Sequence, residues 1–174
     1  MRRIFLIGFM GSGKTHTGKL LARILQLPFI DLDGYIESQT GRSVTELFAE
    51  AGEVRFRELE AAALRDLLRW NAAIIACGGG TPCYHNNMEW MNENGVTVYL
   101  ETPPEVLARR LAPEMGHRPL LHGQTPETLP DFIAGRLALR EPFYRQAGVI
   151  YRQTGDSDNP ALELAEHLGK ITGH

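Results

Sequence analysis

At 174 residues, with 43% hydrophobic and 22% charged side chains, the chain has the size and composition of one globular domain with its own core. Its formal net charge of -3 argues against a general nucleic-acid-binding protein, which would usually be basic. Arginine supplies 15 of the 18 basic residues, and its planar guanidinium suits carboxylates and phosphates, although genome composition can produce the same excess.

The two cysteines, Cys77 and Cys83, match neither a redox motif nor a zinc motif. We therefore expect reduced packing residues, as in a cytosolic protein. No stretch reaches the length of a membrane span, and the first residues run into a predicted strand without a signal-peptide pattern. These features predict a cytoplasmic protein that binds neither membrane nor nucleic acid, and the lack of a large apolar surface favours a monomer.

The first predicted elements are a strand over residues 4–7, a glycine-rich loop and an amphipathic helix. The loop reads GFMGSGKT, a full match to the phosphate-binding pattern G-x-x-x-x-G-K-[ST] in the strand–loop–helix context that it requires. Backbone N–H groups around Gly11, Ser12 and Gly13 can converge on an anion at the helix N-terminus. Lys14 can reach the outer phosphates, and Thr15 can ligate Mg²⁺. We prefer this interpretation to an ordinary glycine-rich turn.

A second predicted strand, residues 27–30, ends at two acidic residues, Asp31 and Asp33. Ligands of open parallel sheets bind beyond the carboxyl ends of the strands, so these carboxylates are site candidates. The alternative is that Asp33 caps the next helix, predicted for residues 34–40, and the two roles can coexist.

An arginine stands near the start of the next long helix, where the helix dipole disfavours a cation. A capping box of sequence SVTE opens a short helix, Gly52 breaks it, and an amphipathic helix follows over residues 53–70. The misplaced cation is Arg57. Because local rules often fail at functional sites, its position hints at a binding role, and the alternative is a surface ion pair with Glu53 or Glu60.

Three consecutive glycines, Gly78, Gly79 and Gly80, directly follow a third predicted strand over residues 73–77. Many phosphate-loop proteins carry a magnesium-binding acid at this point. Glycines here instead indicate that a ligand or another backbone segment approaches closely.

Residues 112–124 break every periodicity and surround Arg118 with prolines and glycines. A long irregular segment inside a compact domain is usually functional, often as a lid, so we expect one that closes Arg118 over phosphates. The alternative is a surface loop with an incidental arginine.

The remaining patterns alternate between helix and strand. Arg136 and Arg140 share one face of a predicted helix. The elements are a helix over 86–93, a strand over 96–100, a helix from Pro103 to Leu111, a helix from Pro126 to Glu141 ended or kinked by Pro142, a strand over 149–151 and a helix opened by Pro160. Five strands alternating with helices predict an α/β fold with a parallel sheet covered on both faces.

Taken together, the motifs resemble the shikimate kinase family. In order, they are GFMGSGKT at 8–15, DLD at 31–33, FR at 56–57, GGG at 78–80, RPLL at 118–121 and REPFYR at 140–145. The resemblance spans nearly the whole chain and implies a nucleoside-monophosphate-kinase-like P-loop kinase fold with sheet order 2-3-1-4-5. It implies one kinase domain, residues 1–174, with a substrate-binding subdomain at 33–60 and a lid at 112–124.

The implied activity is ATP-dependent phosphorylation of the 3-hydroxyl of shikimate, on the route to chorismate and the aromatic amino acids. By resemblance, Asp33 would bind the substrate hydroxyls, including the attacking one. Arg57 and Arg140 would grip the substrate carboxylate, and the backbone of Gly79 and Gly80 would complete the acceptor site.

The resemblance also implies a nucleotide site. Lys14 and Arg118 would stabilise the transferred phosphoryl group, and Arg110 and Pro160 would flank adenine, where the match is looser. Thr15 and Asp31 would serve Mg²⁺, Asp31 through water.

The chain departs from the family pattern at Leu32, where a hydroxyl residue is common, and in the lid apart from Arg118. If Leu32 points into the core, the first departure changes little. Another small-metabolite kinase, such as a gluconate or nucleoside monophosphate kinase, is an alternative that the acidic pair and the triple glycine disfavour. A nucleotide-gated switch is disfavoured because no N-K-x-D base-recognition sequence is present.

Overall fold

The computed structural model describes residues 2–117, 119–154 and 159–172, and these form a parallel sheet between two layers of helices. The strands are β1 (Arg3–Ile7), β2 (Phe29–Asp31), β3 (Ile74–Ala76), β4 (Gly95–Glu101) and β5 (Val149–Arg152). The helices are α1 (Lys14–Leu25), α2 (Leu32–Thr40), α3 (Val44–Asp66), α4 (Asn87–Asn94), α5 (Pro104–Leu111), α6 (Leu129–Tyr144) and α7 (Pro160–Thr172). Short 3₁₀ turns cover Leu67–Arg69, Thr81–Cys83, Ala112–His117 and Pro119–Leu121.

The strands pair in the order β2-β3-β1-β4-β5, and every pairing is parallel. This confirms the predicted 2-3-1-4-5 sheet. Because the order reverses direction on either side of β1, a crevice forms beyond the carboxyl ends of β1 and β3, where open α/β sheets bind ligands.

Both faces of the sheet are buried, and successive side chains of β1 pack alternately on one face and the other. Ile4 and Leu6 pack into a cluster with α1 and α7, whereas Phe5 and Ile7 belong to the larger cluster under α2 to α6. A strand that is buried on both faces reads as an uninterrupted apolar run, as this one does. The core therefore fixes β1, and with it the loop that follows it.

Two helix ends correct the predicted boundaries. Asp31, rather than Asp33, is the N-cap of α2, and its Oδ1 accepts a hydrogen bond of 3.3 Å from the Gly34 amide. The alternative in which Asp33 caps a helix over 34–40 is wrong, because α2 starts two residues earlier and places Asp33 in its first turn. Leu32 between them is fully buried, as expected if it points into the core.

The break at Gly52 is present inside α3, where φ is 76° and ψ is 170°, values that a glycine adopts without strain. The capping box at Ser43 and Glu46 is also formed. In α6 the helix continues through Pro142 to Tyr144, one turn beyond the predicted end at Glu141. That extra turn carries Tyr144 onto the same side of the helix as Arg140.

Both cysteines are free thiols, with Cys77 buried and Cys83 half-buried. Within the described ranges, no helix combines the length and apolar character that crossing a membrane requires.

Candidate active site

The loop between β1 and α1 has the backbone of a phosphate cradle. Gly8, Gly11 and Gly13 have φ values of 143°, 80° and 85°, a region that other residues rarely adopt. A Cβ on Gly11 would lie 2.9 Å from Cγ of Leu111, so α5 packs directly against the loop. Glycine is therefore required at Gly11 both by its backbone angles and by its neighbour.

Lys14, the first residue of α1, folds over this loop. Its Nζ donates hydrogen bonds of 2.8 Å to the Gly8 carbonyl and 2.9 Å to the Phe9 carbonyl. Burial lowers the pKa of Lys14 to about 8, an effect that the nearby carboxylate of Asp33 partly offsets. A phosphate beside this ammonium would further favour its charged form, because it adds negative charge to that of the nearby carboxylates.

A cavity of about 550 Å³ lies in front of the loop and is large enough for a nucleotide-sized ligand, since such sites span ~300–1,000 Å³. Its described lining includes the predicted residues Gly11, Gly13, Lys14, Thr15, Asp31 and Arg110, together with His16 and Glu114, which the sequence patterns did not identify. Ser12 is fully buried, and the described lining of the cavity does not include it.

The candidate magnesium ligands lie together at the edge of this cavity. The Thr15 hydroxyl donates a 3.0 Å hydrogen bond to Oδ2 of Asp31. A hydroxyl and a carboxylate are the oxygen donors that Mg²⁺ takes when phosphates and waters complete its shell. The pair therefore fits the ion, and no cluster of three or more acidic, histidine or cysteine ligands occurs among the described residues.

A second, smaller cavity of about 210 Å³ adjoins the first. Both cavities are lined by Met10, Asp33, Gly78 and Gly79. The Asp33 carboxyl therefore stands where a ligand of the small cavity would face a phosphate in the large one. This is the arrangement that transfer between two bound molecules needs, because the reacting atoms must be held in contact and aligned.

The small cavity is lined by two arginines, Arg57 and Arg140, that are 83 positions apart in the chain. Arg57 is only 8% exposed and pairs with Glu60 at 2.8 Å and with Glu53 at 3.2 Å. Its guanidinium carbon lies 4.5 Å from the ring centroid of Tyr84. The predicted ion pairs form, although the pair with Glu60 is buried and not at the surface, and Arg57 also lines the cavity, as the binding prediction requires.

Glu60 is the buried partner of Arg57. The sequence pattern indicated it only as a surface partner. It is 1% exposed, and its other oxygen accepts a 2.6 Å hydrogen bond from Oγ1 of Thr81. A carboxylate bonded on both oxygens keeps a buried guanidinium in one orientation.

The triple glycine lets both guanidinium groups approach the backbone. A Cβ on Gly80 would lie 2.3 Å from Nη2 of Arg57, and one on Gly79 would lie 3.0 Å from Nη1 of Arg140. Side chains at these positions would displace the arginines. A close approach was predicted, but the nearest groups at Gly79 and Gly80 are two cationic side chains and not the ligand or backbone segment that the sequence suggested.

Arg140 carries an unsatisfied donor. Its Nη1 is buried and has no hydrogen-bond partner within the described residues, although the group borders the cavity and stacks over Phe9 at 5.3 Å. Buried donors are nearly always bonded, so an orphan N–H at a cavity indicates that a ligand acceptor belongs there.

Tyr144, one turn after Arg140 on α6, contacts the glycine segment beside the small cavity. It is fully buried, and its hydroxyl donates a hydrogen bond to the Gly79 carbonyl, 65 residues away in the chain. Burial raises the pKa of Tyr144, so the phenol stays a donor at neutral pH. Its four-residue spacing from Arg140 is the sequence signal that could have identified it.

Asp33 is the most perturbed carboxyl at the boundary of the two cavities. Burial, together with the carboxylates of Asp31 and Glu60, raises its pKa to about 6 against the opposing effect of the Lys14 ammonium. A group with this pKa exchanges protons near neutral pH, whereas an ordinary aspartate, with a pKa of ~4, does not.

The outcome differs for the three remaining predicted residues. Arg118 lies outside the described residues. Arg110 borders the large cavity and donates 3.2 Å to the Gly11 carbonyl. Pro160 begins α7, and the described lining of the cavity does not include it.

The phosphate loop, the parallel sheet of order 2-3-1-4-5 and the two adjoining cavities define a P-loop kinase. A family model described as Shikimate kinase matches residues 10–170. A shikimate kinase of Bacteroides fragilis is 51% identical over 172 residues, which cover 98% of this chain and 96% of the relative. The chain belongs to the shikimate kinase family.

Solved structures agree with this assignment. The crystal structure of shikimate kinase from Bacteroides thetaiotaomicron has a TM-score of 0.88 at 43% identity, with 99% of each chain covered. Shikimate kinase from Acinetobacter baumannii in complex with shikimate has a TM-score of 0.84 at 33% identity, covering 99% of this chain and 93% of that one.

Proposed function

We infer that this enzyme transfers the terminal phosphoryl group of ATP to the 3-hydroxyl of shikimate, giving shikimate 3-phosphate and ADP. Family membership supports the reaction, and the single structural observation that carries it is the orphan Nη1 of Arg140. The side chain that carries it lines a small cavity next to the phosphate loop, as a carboxylate-bearing acceptor requires. The gluconate kinase alternative is not favoured by the family relationships.

The acceptor half of the proposed mechanism is a cationic clamp opposite a carboxylate. Arg140 and Arg57 take the shikimate carboxylate through charge-assisted hydrogen bonds, and the backbone at Gly79 and Gly80 forms the floor. Asp33 accepts a hydrogen bond from the reacting hydroxyl and thereby holds it toward the large cavity. With a pKa near 6, Asp33 can also take the proton that leaves as the new bond forms.

The donor half holds the triphosphate. The loop around Gly11, Ser12 and Gly13 binds its oxygens through N–H groups, and Lys14 leaves the Gly8 and Phe9 carbonyls to contact the outer phosphates. Thr15 and, through water, Asp31 would hold Mg²⁺, which would neutralise phosphate charge.

Further parts of the proposal concern the lid, the substrate-binding subdomain and the contacts with adenine. We assign residues 112–124 as the lid that carries Arg118 to the phosphates, residues 33–60 as the substrate-binding subdomain, and Arg110 with Pro160 as the adenine contacts. We also predict that the enzyme is cytoplasmic and monomeric.

The direct test is ADP release with a panel of acceptors at saturating ATP and Mg²⁺. We expect turnover with shikimate and a background rate with gluconate or AMP. Turnover with gluconate or AMP and none with shikimate would overturn the proposed function. Phosphorus NMR of the product then identifies the hydroxyl that was phosphorylated.

Replacing Arg140 by alanine is expected to raise KM for shikimate by about 10- to 100-fold, since hydrogen bonds to a charged group are worth ~1.5–3 kcal/mol. KM for ATP should change by less than about threefold, because we place the side chain at the acceptor only. Steady-state kinetics with each substrate varied in turn measures both. Arg136→Ala, one turn away on the same helix and exposed, is the matched control. An equal loss for both substrates contradicts the clamp.

A further inference from the structure

A buried glutamine at the end of the sheet contacts the back of the phosphate loop. Gln153 directly follows β5 and is 7% exposed. Its Nε2 donates a 2.7 Å hydrogen bond to the Ser12 carbonyl, 141 residues earlier. Its backbone amide is held by the Glu101 carbonyl at 2.8 Å, so the side chain extends from a fixed point.

The other end of the same amide contacts Arg110. Oε1 of Gln153 accepts from Nη1 of Arg110 at 3.3 Å and from Nη2 at 3.4 Å. Nη1 also reaches the Gly11 carbonyl at 3.2 Å. One side-chain amide therefore joins α5, the end of β5 and the loop into a single hydrogen-bonded unit.

The bond to Ser12 controls a group that faces the nucleotide cavity. The Ser12 carbonyl and the Gly13 N–H belong to one planar trans peptide, so they point in opposite directions. Holding the carbonyl toward Gln153 turns the Gly13 N–H away from it, and Gly13 lines the large cavity. With φ of 85°, Gly13 has the conformational freedom to rotate this peptide if nothing holds it.

We propose that Gln153 is a positioning residue for the nucleotide, which orients the Ser12–Gly13 peptide and the Arg110 guanidinium before ATP binds. The inference rests on the proposed nucleotide site and adds a residue to it that contacts no substrate itself. Preorganised donors bind phosphate more strongly because they do not have to be ordered during binding.

The decisive variant is Gln153→Met, which keeps the length of the side chain and removes its hydrogen bonds to Ser12 and Arg110. We expect the Kd for ADP, measured by titration calorimetry, and KM for ATP to rise about tenfold, corresponding to ~1.4 kcal/mol. KM for shikimate should stay within about twofold, because the acceptor cavity does not include this residue. The matched control is Gln146→Met, at an exposed glutamine just after α6 whose side-chain amide donates to the Pro142 carbonyl.

A second variant, Gln153→Glu, retains an acceptor for Arg110 but has no N–H for Ser12. We expect its Kd for ADP to rise as well, since the peptide loses its anchor, and amide hydrogen exchange at Gly13 should become faster in both variants. An unchanged Kd for ADP in either variant, or equal increases in both KM values together with a lower melting temperature, would overturn the inference.

A further variant, Arg110→Ala, distinguishes this inference from the proposed contact of Arg110 with the nucleotide. If Arg110→Ala leaves KM for ATP unchanged, Arg110 does not contact the nucleotide, yet Gln153→Met is still expected to weaken ADP through Ser12. If shikimate is not the acceptor, the calorimetric change with ADP remains the measure of Gln153.

Discussion

Replacing Lys14 by methionine is expected to lower kcat by at least about a thousandfold while the protein still folds, since a single preorganised charge-stabilising donor is worth ~10²–10³ in rate and lysine carries a full charge. The methionine side chain has similar length and fills the same space above the loop. The change removes only the ammonium, which now bonds the Gly8 and Phe9 carbonyls. Single-turnover assays at saturating ATP and shikimate measure the loss.

Retention of the fold is part of this prediction. Because burial lowers the pKa of Lys14 to about 8, its positive charge costs folding free energy at neutral pH, and methionine removes that cost together with two hydrogen bonds. The two effects oppose each other, so the melting temperature should change by only a few degrees. Lys19→Met, on the same helix and exposed, is the control for kcat. Near-normal kcat in Lys14→Met would contradict the role proposed for the lysine.

Sequence patterns predicted best those structural features that depend on neighbouring residues alone. The loop before Lys14 and the break at Gly52 depend on backbone angles that glycine adopts, and both occur where the sequence placed them. The cap of α2 shows the limit of such reasoning. Two aspartates two positions apart both satisfy the capping pattern, and only the backbone at Asp31, with φ of -92° and ψ of 120°, shows which one begins the helix.

Contacts between distant parts of the chain could not be predicted in this way. The bonds of Tyr144 to Gly79 and of Gln153 to Ser12 join residues 65 and 141 positions apart. The spacing of Tyr144 from Arg140 places it on the right face of α6, but no pattern names its partner or that of Gln153, because each partner is a backbone carbonyl that every sequence provides. What can be predicted is the location, since polar residues at the carboxyl edge of a parallel sheet lie near the ligand crevice, as Asp31 and Gln153 do.

The triple glycine shows how the two kinds of evidence combine. The sequence predicted close approach, and the structure identifies the approaching groups as the guanidiniums of Arg57 and Arg140. Arg57 is already paired with Glu60 and Glu53, whereas Nη1 of Arg140 has no hydrogen-bond partner within the described residues. A carboxylate ligand would supply the acceptor that Arg140 lacks.

Replacing Asp33 by asparagine is expected to lower kcat by about 10²–10⁴-fold, the contribution typical of a positioned general base, with a smaller change in KM for shikimate. Asparagine keeps the shape of the side chain and one acceptor oxygen but has no proton affinity near neutral pH. Stopped-flow or quenched kinetics at saturating ATP separates the chemical step from product release. A mere doubling of KM with normal kcat would mean that the acceptor hydroxyl is elsewhere.

The same substitution should stabilise the protein in the absence of ligands. The pKa of Asp33 is about 6 in the folded protein, raised from the 3.8 of an ordinary aspartate, so the folded state binds this proton more tightly than the unfolded state. Ionisation of Asp33 therefore costs folding free energy, a cost that is absent at low pH, grows as pH rises through the window from about 4 to 6, and is constant above it. Because Asp33 is only partly buried, we expect a gain of about 1–2 kcal/mol for Asp33→Asn at pH 7.5, below the ~3 kcal/mol that the full shift implies.

Urea unfolding of both proteins at pH 4 and pH 7.5 measures this gain. The stability difference between Asp33→Asn and the parent should be small at pH 4 and clear at pH 7.5, whereas the exposed control Asp131→Asn, in the first turn of α6, should show no such increase. A variant that is no more stable than its parent at pH 7.5 would show that Asp33 is not strained in the fold. A variant that is more stable but inactive would show that the carboxylate is kept at a cost to stability for its role at the acceptor hydroxyl.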